Sequence, residues 1–362
     1  MIAKSEIDYK RIIHILMNRA QVLNLIGKNE RSLADLNRGL MMSKRYQDKK
    51  SQADCLLQFS ETYNYLSKYE EILNSAKESL LLYQEIDDKK GQAVSLNNVG
   101  YVHDSLGNYP KGLEYYTKSL KIQEEIGDRY SQAASLINIG YVQNMLGDYP
   151  KALEYWTKSL KIREEIGDRL GQAMSLNNIA RTYLEQEKYE EARDYLTRAE
   201  KIAGEIGAKE LLRRIYVSFG ELGMAETAFS VIPAEAGIHK DLDSHFRGND
   251  ISAAIEYAEQ ALQLAEELKS KTGKAEALLL QARIEKAESK FKEAIAIFEE
   301  LKQPFETAKA YYYYGRMLTS RIRKPECRTQ ENTKEAEEYL QKAREIFEKI
   351  GAKGWLKKVQ AG

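Results

Sequence analysis

Several kinds of residue that carry chemistry are scarce in this sequence, and each scarcity excludes something. Its two cysteines, Cys55 and Cys327, cannot make a disulfide framework, so a reducing, cytoplasmic setting is expected. Five prolines in 362 residues exclude a long proline-rich or disordered chain. An excess of charge is missing too: 55 Lys+Arg are balanced by 55 Asp+Glu, which argues against a general binder of nucleic acid. No stretch approaches ~20 consecutive apolar residues, so no membrane span is expected. The N-terminal MIAKSEIDYKRIIHILMNRA has no sustained apolar run or cleavage site, and no signal peptide is expected there.

Catalytic patterns are absent as well. There is no GxxxxGK[ST], no GxGxxG after a strand, no HExxH and no GxSxG. Of the four histidines, His14 and His103 are isolated, while His239 and His245 fall in one short segment. Carboxylate pairs such as Glu124/Glu125 and Glu164/Glu165 sit on helix faces that read as solubilising surface. The expectation is a protein with no catalytic residues, no cofactor and no metal.

What the sequence does have is an internal repeat. Ser95–Arg129, SLNNVGYVHDSLGNYPKGLEYYTKSLKIQEEIGDR, matches Ser135–Arg169, SLINIGYVQNMLGDYPKALEYWTKSLKIREEIGDR, over most of its length. The offset of 40 continues in both directions. Small residues recur at Ala20, Ser60, Gly100, Gly140, Ala180 and Gly220. Four before most of them stand Leu16, Leu56, Leu96, Leu136 and Leu176, with Tyr216 in the sixth place. Leu40, Leu80, Leu120 and Leu160 follow the first four small residues by twenty.

Each unit reads as two amphipathic helices, because its apolar residues recur at helical spacing: Leu136, Ile139 and Val142, then Ala152, Leu153, Trp156 and Leu160. Gly147 and Gly167 stand where a left-handed residue ends a helix. Asp148 and Asp168 stand where the next helix needs an N-cap, and Pro110 and Pro150 fall in a first turn. No segment alternates as a strand would.

These residues resemble the tetratricopeptide repeat, whose pattern runs large residue, Leu-Gly, Tyr, Ala, aromatic, Pro. The fifth unit shows Leu176, Ile179-Ala180, Tyr183, Ala192 and Leu196, and the fourth shows Leu136, Ile139-Gly140, Ala152 and Trp156. The departures are Gln143 in the tyrosine place and a missing closing proline. The period of 40, where about 34 is usual, is similar to the repeats of kinesin light chain and of G-protein-regulating spindle scaffolds. The resemblance implies an all-α, right-handed superhelical solenoid of about eight repeats. The expected boundaries are 5–50, 51–90, 91–130, 131–170, 171–210, 211–272, 273–304 and 305–350, with a capping helix over 351–362.

The sixth unit is interrupted. Ala192 predicts an alanine at position 232, but the matching DISAAIEYAEQAL places it at Ala254. The extra text is residues 228–249, AFSVIPAEAGIHKDLDSHFRGN. Within it six of the seven residue pairs of IPAEAGI read against DSHFRGN backwards can have reverse-complement codons, so it resembles a translated palindromic repeat of bacterial genomes, expected in the loop between two helices. His239, Asp241, Asp243 and His245 follow from that palindrome and are not expected to bind metal. A second loop, around Arg321–Thr333, carries Arg321, Arg323, Lys324 and Arg328 and is expected to be solvated.

Stacked first helices line a groove in this family, and the columns of residues facing it predict the functional site. Two before the small marker come Asn18, Gln58, Asn98, Asn138, Asn178 and Ser218; three before come Asn97, Ile137 and Asn177. One after come Gln21, Glu61, Tyr101, Tyr141, Arg181 and Glu221, and four after come Asn24, Asn64, Asp104, Asn144 and Leu184. Asparagine is a mediocre helix former, so a column of carboxamides needs a reason. A carboxamide pairs with both groups of a peptide backbone. The resemblance implies that Asn98, Asn138 and Asn178 hold a peptide, with Asn97, Asn177, Asn144, Tyr101, Tyr141 and Arg181 around them. Tyr311 and Tyr314 are expected to pack between helices, and Tyr312 and Tyr313 to face the groove. The function expected is a scaffold or adaptor for a protein or peptide partner. The alternatives are a cytosolic peptide-sensing regulator and a self-associating assembly protein.

Overall fold

The computed structural model describes residues 2–66, 68–230, 249–322 and 329–360. Among them are seventeen α-helices and no strand. They are α1 (Ile2–Leu25), α2 (Asn29–Arg45), α3 (Lys49–Tyr65), α4 (Tyr69–Glu85), α5 (Lys89–Ser105), α6 (Tyr109–Glu125), α7 (Arg129–Met145), α8 (Tyr149–Glu165) and α9 (Arg169–Glu185). Then come α10 (Tyr189–Glu205), α11 (Lys209–Ser230), α12 (Asn249–Glu267), α13 (Lys271–Glu285), α14 (Glu288–Glu300), α15 (Pro304–Ile322), α16 (Gln330–Ile350) and α17 (Lys353–Gln360). This is the all-α tandem helix-pair architecture of tetratricopeptide repeats.

The helices form because the sequence is punctuated every twenty residues. Each of α2 to α10 has 17 residues, and the three residues between helices make a fixed device. Among the described residues its middle residue is left-handed: Gly27, Gly107, Gly127, Gly147, Gly167 and Gly207 all have positive φ, and so do Gln47, Asp87 and Glu187. The next residue's N–H then reaches back five residues to an orphan carbonyl, as Asp148 N does to Gln143 O at 2.9 Å. Where that residue is Asp it also starts the following helix. Asp88, Asp148 and Asp168 accept from the backbone N–H of Gly91, Lys151 and Gly171 at 2.9, 3.2 and 2.9 Å. One aspartate therefore closes one helix and opens the next, and Pro110 and Pro150 sit in the first turns of α6 and α8 as expected.

The chain forms two compact units, Met1–Val142 and Gln143–Gly362, with the division inside α7. In the first unit α1 packs on α2, α3 on α4 and α5 on α6, and consecutive first helices also touch, α1 on α3 and α3 on α5. Leu16, Leu56, Leu96 and Leu136 are buried in it. The small markers permit close pairing: a Cβ added to Gly100 would stand 2.8 Å from the Tyr116 ring and 3.3 Å from Gly112 O. Buried serines tie helices together, Ser79 Oγ donating to Ala53 O at 3.0 Å and Ser119 Oγ to Ala93 O at 2.7 Å.

In the second unit the first helices form their own row, α9 on α11, α11 on α13 and α13 on α15. Leu176 and Ala180 are buried there, as is Tyr314, while a Cβ on Gly220 would meet Leu280 at 2.5 Å. Helix α11 runs to Ser230 and α12 begins at Asn249, so the interruption falls between the two helices of one pair. Residues 231–248, with His239, Asp241, Asp243 and His245, lie outside the described residues. Trp355 of α17 is buried against Phe347, ring centroids 5.4 Å apart, and meets Tyr312 and Tyr313 edge-on at 5.8 Å.

Candidate ligand-binding faces

Each unit presents a face made by its first helices. On the first unit Asn98 of α5 and Asn138 of α7 are half-buried, and neither side chain has a hydrogen-bond partner among the described residues. They occupy the same place one repeat apart. Packed helices lie about 8–10 Å apart, and an extended peptide rises about 3.4 Å per residue. Successive carboxamides therefore meet such a peptide about every third residue. Tyr101 and Tyr141 stand beside them, 38% and 36% exposed, and Tyr101 Oη donates to Asn64 Oδ1 at 2.9 Å.

The neighbouring columns do different work. Asn97 Nδ2 donates to Ser135 Oγ at 2.9 Å, joining α5 to α7. Asn24 Nδ2 donates to Thr62 Oγ1 at 3.0 Å, joining α1 to α3, and Gln58 Nε2 donates to Met17 O at 2.7 Å. In the second unit Thr182 Oγ1 donates to Asn144 Oδ1 at 3.3 Å and Ser218 Oγ to Asn177 Oδ1 at 3.1 Å. Asn177 is 1% exposed. Asn97, Asn144 and Asn177, expected among the peptide-holding residues, each make one bond from helix to helix across the seam between repeats, which engages part of each carboxamide there. The residue three before the marker lies roughly 100° around the helix from the one two before. That turn is enough to move it from the surface to the seam.

Asp104 breaks the seam pattern. It stands where Asn24, Asn64 and Asn144 stand in other repeats, its Oδ1 is buried without a partner, and burial pushes its carboxyl up to about 7. Tyr116 beside it is held well above the ordinary tyrosine value, by burial first and then by Asp104.

The face of the second unit is charged. Asn178 of α9 is half-buried without a side-chain partner, and Arg181 lies nearly one turn further along α9. Arg283 of α13 donates to Glu221 of α11 at 3.1 Å and stands 3.8 Å from the centroid of the Tyr313 ring. Lys358 of α17 pairs with Glu185 of α9, so the last helix reaches the first row of this face. Burial works against the Arg181 charge, but Glu221, Glu306, Glu276 and Glu185 outweigh it and hold the guanidinium above its ordinary value. Arg214 of α11 is held below its ordinary value, by burial first and then by Arg181. Sequence columns named Arg181 but missed Arg214, Arg283 and Lys309. Arg214 and Lys309 lie six before their markers Gly220 and Gly315, and a scan of that further turn would have found them.

Other chemistry-bearing residues are placed as follows. Cys55 is buried, and burial, then Asp54 and Asp48, push its thiol up to about 12, so it is a protonated packing group. His14 Nε2 bonds Asn18 Nδ2 at 3.1 Å, and His103 is lowered by burial and then by Lys111. Arg321 does not belong to a solvated loop: it ends α15, donating to Lys286 O at 2.8 Å and to Glu288. Cys327, Arg323, Lys324 and Arg328 lie outside the described residues. Among the described residues no group of three or more His, Cys, Asp or Glu is arranged to hold a metal ion, and no helix is long and apolar enough to cross a membrane.

Two sequence profiles of the tetratricopeptide repeat match the chain, one over residues 55–125, 91–164 and 131–205, the other over 242–309. Together they span more than half of it, and the chain belongs to the tetratricopeptide repeat family. No curated protein matches its sequence. Among solved structures it is similar to the Rap conjugation gene regulator of the plasmid pLS20, solved in complex with the Phr* peptide. That likeness has a TM-score of 0.65 at 13% identity, covering 94% of this chain and 96% of the other. The apo form of RapI matches with a TM-score of 0.60 at 17% identity, covering 80% and 98%. Aspartyl phosphate phosphatase F from Bacillus subtilis matches with a TM-score of 0.58 at 14% identity, covering 83% and 72%. At these identities the likeness is one of fold.

Proposed function

We propose that this chain is a non-enzymatic adaptor of the cytoplasm that binds a peptide or an extended protein segment on its first-helix faces. The observation that carries this reading is the pair Asn98 and Asn138: half-exposed carboxamides without partners, repeated at one place on successive first helices. A carboxamide held out on a helix face at this spacing matches backbone N–H and C=O groups whatever the peptide's side chains. Tyr101 and Tyr141 add flat apolar area with a polar tip. The neighbour solved with a Phr* peptide supports a peptide as the occupant. The resemblance to an aspartyl phosphate phosphatase is a resemblance of fold, which many functions share.

The test is selection of displayed random heptapeptides on the full chain, followed by affinity measurement with the Asn98→Ala/Asn138→Ala variant. The reading expects peptides to be selected and to bind the variant roughly tenfold more weakly, at unchanged helical content. Selected peptides that bind both proteins equally would remove the asparagines from the site. Failure to select any peptide would overturn the reading itself.

A further inference from the structure

First helices α3, α5 and α9 each pack on the second helix before them, and the positions that make this seam recur. Eight before the small marker stand Gln52, Gln92, Gln132 and Gln172. Each donates from Nε2 to a carbonyl in the last turn of the preceding second helix, at 2.9 to 3.3 Å. Five before the marker stand Cys55, Ser95, Ser135 and Ser175, all fully buried, and Ser95 Oγ bonds Ser79 Oγ at 3.1 Å. Two after it stand Thr62, Val102, Val142 and Thr182, also fully buried.

On α1 the same three positions are Ile12, Ile15 and Val22, and they are 43%, 62% and 57% exposed. Polar seam residues have given way to β-branched apolar ones where water is the neighbour. That is the reverse of what the end of a solenoid needs, since a polar outer face keeps it soluble. Nor does the face suit one more repeat, because neither Ile12 nor Ile15 can donate to a preceding helix. Its pattern suits a like helix instead. Ile12, Ile15, Arg19, Val22 and Ile26 follow one another in steps of three and four, the spacing of a two-helix coiled-coil seam. Arg19 interrupts the apolar run and is held by Asp35 of α2 at 2.5 Å. The four apolar residues of the run and Leu25 beside them expose on the order of 500 Å² per copy, about 1,000 Å² in a pair, which is the least that a specific interface requires. A parallel pair would set Arg19 against its own image. An antiparallel pair sets Ile12 of one copy against Val22 of the other and keeps the two arginines about one turn apart.

We propose that Ile12, Ile15 and Val22 of α1 form a homodimer interface, on which a second copy of this chain packs its own α1 antiparallel. One patch serves both copies, so the assembly closes at two and does not propagate as a filament. The inference does not depend on the peptide-binding reading, because it uses none of the residues invoked there.

Sedimentation of the full chain over a concentration series tests the interface. The weight-average mass should rise from 41.5 kDa toward twice that value in the micromolar range. Ile12→Gln with Ile15→Ser installs the residue types of the later repeats and should weaken association by at least about tenfold. Leu81→Gln, at an exposed apolar residue of α4, should leave association unchanged. For the register, full chains carrying Cys327→Ser with either Ile12→Cys or Val22→Cys are mixed under mild oxidation, Cys55 being buried. The crosslink between the two different variants should exceed either self-crosslink. A wild type of 41.5 kDa at every concentration overturns the proposal. So does association that Ile12→Gln/Ile15→Ser leaves intact. Predominant self-crosslinks overturn the antiparallel packing. Should the double variant lose helical content, Ile15→Glu, at the most exposed of the three positions, decides.

Discussion

Ser218 donates to Asn177 at 3.1 Å, and both are about 1% exposed. The hydrogen bond joins α9 to α11 across the boundary between two repeats. Asn178, the next residue, is half-buried and has no side-chain partner. Two adjacent asparagines thus hold different offices, and mutation separates them. Asn177→Ala leaves Ser218 buried with one bond fewer and should destabilise the second unit by about 1–2 kcal/mol, read as a lower urea midpoint. Asn178→Ala should leave the midpoint within about 0.5 kcal/mol. Equal losses at both positions would show that the surface and seam assignments are wrong.

The carboxyl of Asp104 makes stability depend on pH. Its folded value of about 7 lies above the ordinary 3.8, because burial disfavours the charged form. The folded state therefore keeps a proton that the unfolded state gives up. Stability is fully present below about pH 4, falls as pH rises toward 7, and is level above it. Asp104→Asn removes the penalty and installs the residue found at Asn24 and Asn144. The variant should gain on the order of 4 kcal/mol at pH 8 and nothing at pH 4. Chemical denaturation at both pH values decides, and a gain of the same size at each would overturn the account.

The left-handed residues between helices offer a second handle on stability. Glu187 has φ 61, where a Cβ is strained, while Gly167 takes φ 73 in open space. Glu187→Gly should stabilise by about 0.5–1 kcal/mol, and Gly167→Ala should cost about 1 kcal/mol. Opposite shifts in melting temperature are the expected result. Shifts in one direction would mean that side-chain contacts outweigh backbone strain at these turns.

Deletion of Ala228–Asn249 tests whether the interruption is dispensable. The helices on either side, α11 and α12, pack on one another, and the deletion takes the last three residues of α11 and the first of α12 together with the text between them. Loop-closure entropy changes slowly with length, so the deletion should alter stability by no more than about 1 kcal/mol. Loss of helical signal or of peptide binding would show that the segment contributes to the fold or the site.

Much of the fold was legible because its signals are local. The left-handed glycine, the five-residue backbone bond and the capping aspartate all act within a few residues, so Gly147, Asp148 and Pro150 announce a helix boundary without reference to anything distant. The repeat adds the rest, since a face that must be buried against the next copy repeats its leucines and small residues at the copy's period. The site was legible only in part. Asn98 and Asn138 are half-buried without a side-chain partner, while Asn97, Asn144 and Asn177, read with them, each bond across the seam. Neighbours that decide this lie about forty residues away, and the angle at which one first helix meets the next determines which side of it is covered. The same holds for charge. The sequence by itself determined equal numbers of acids and bases, and with them the absence of a broad field. Only the tertiary structure decided which acid answers which base, because pairing depends on which side chains the packing brings within hydrogen-bond reach. It left Arg181 and Arg214 without one.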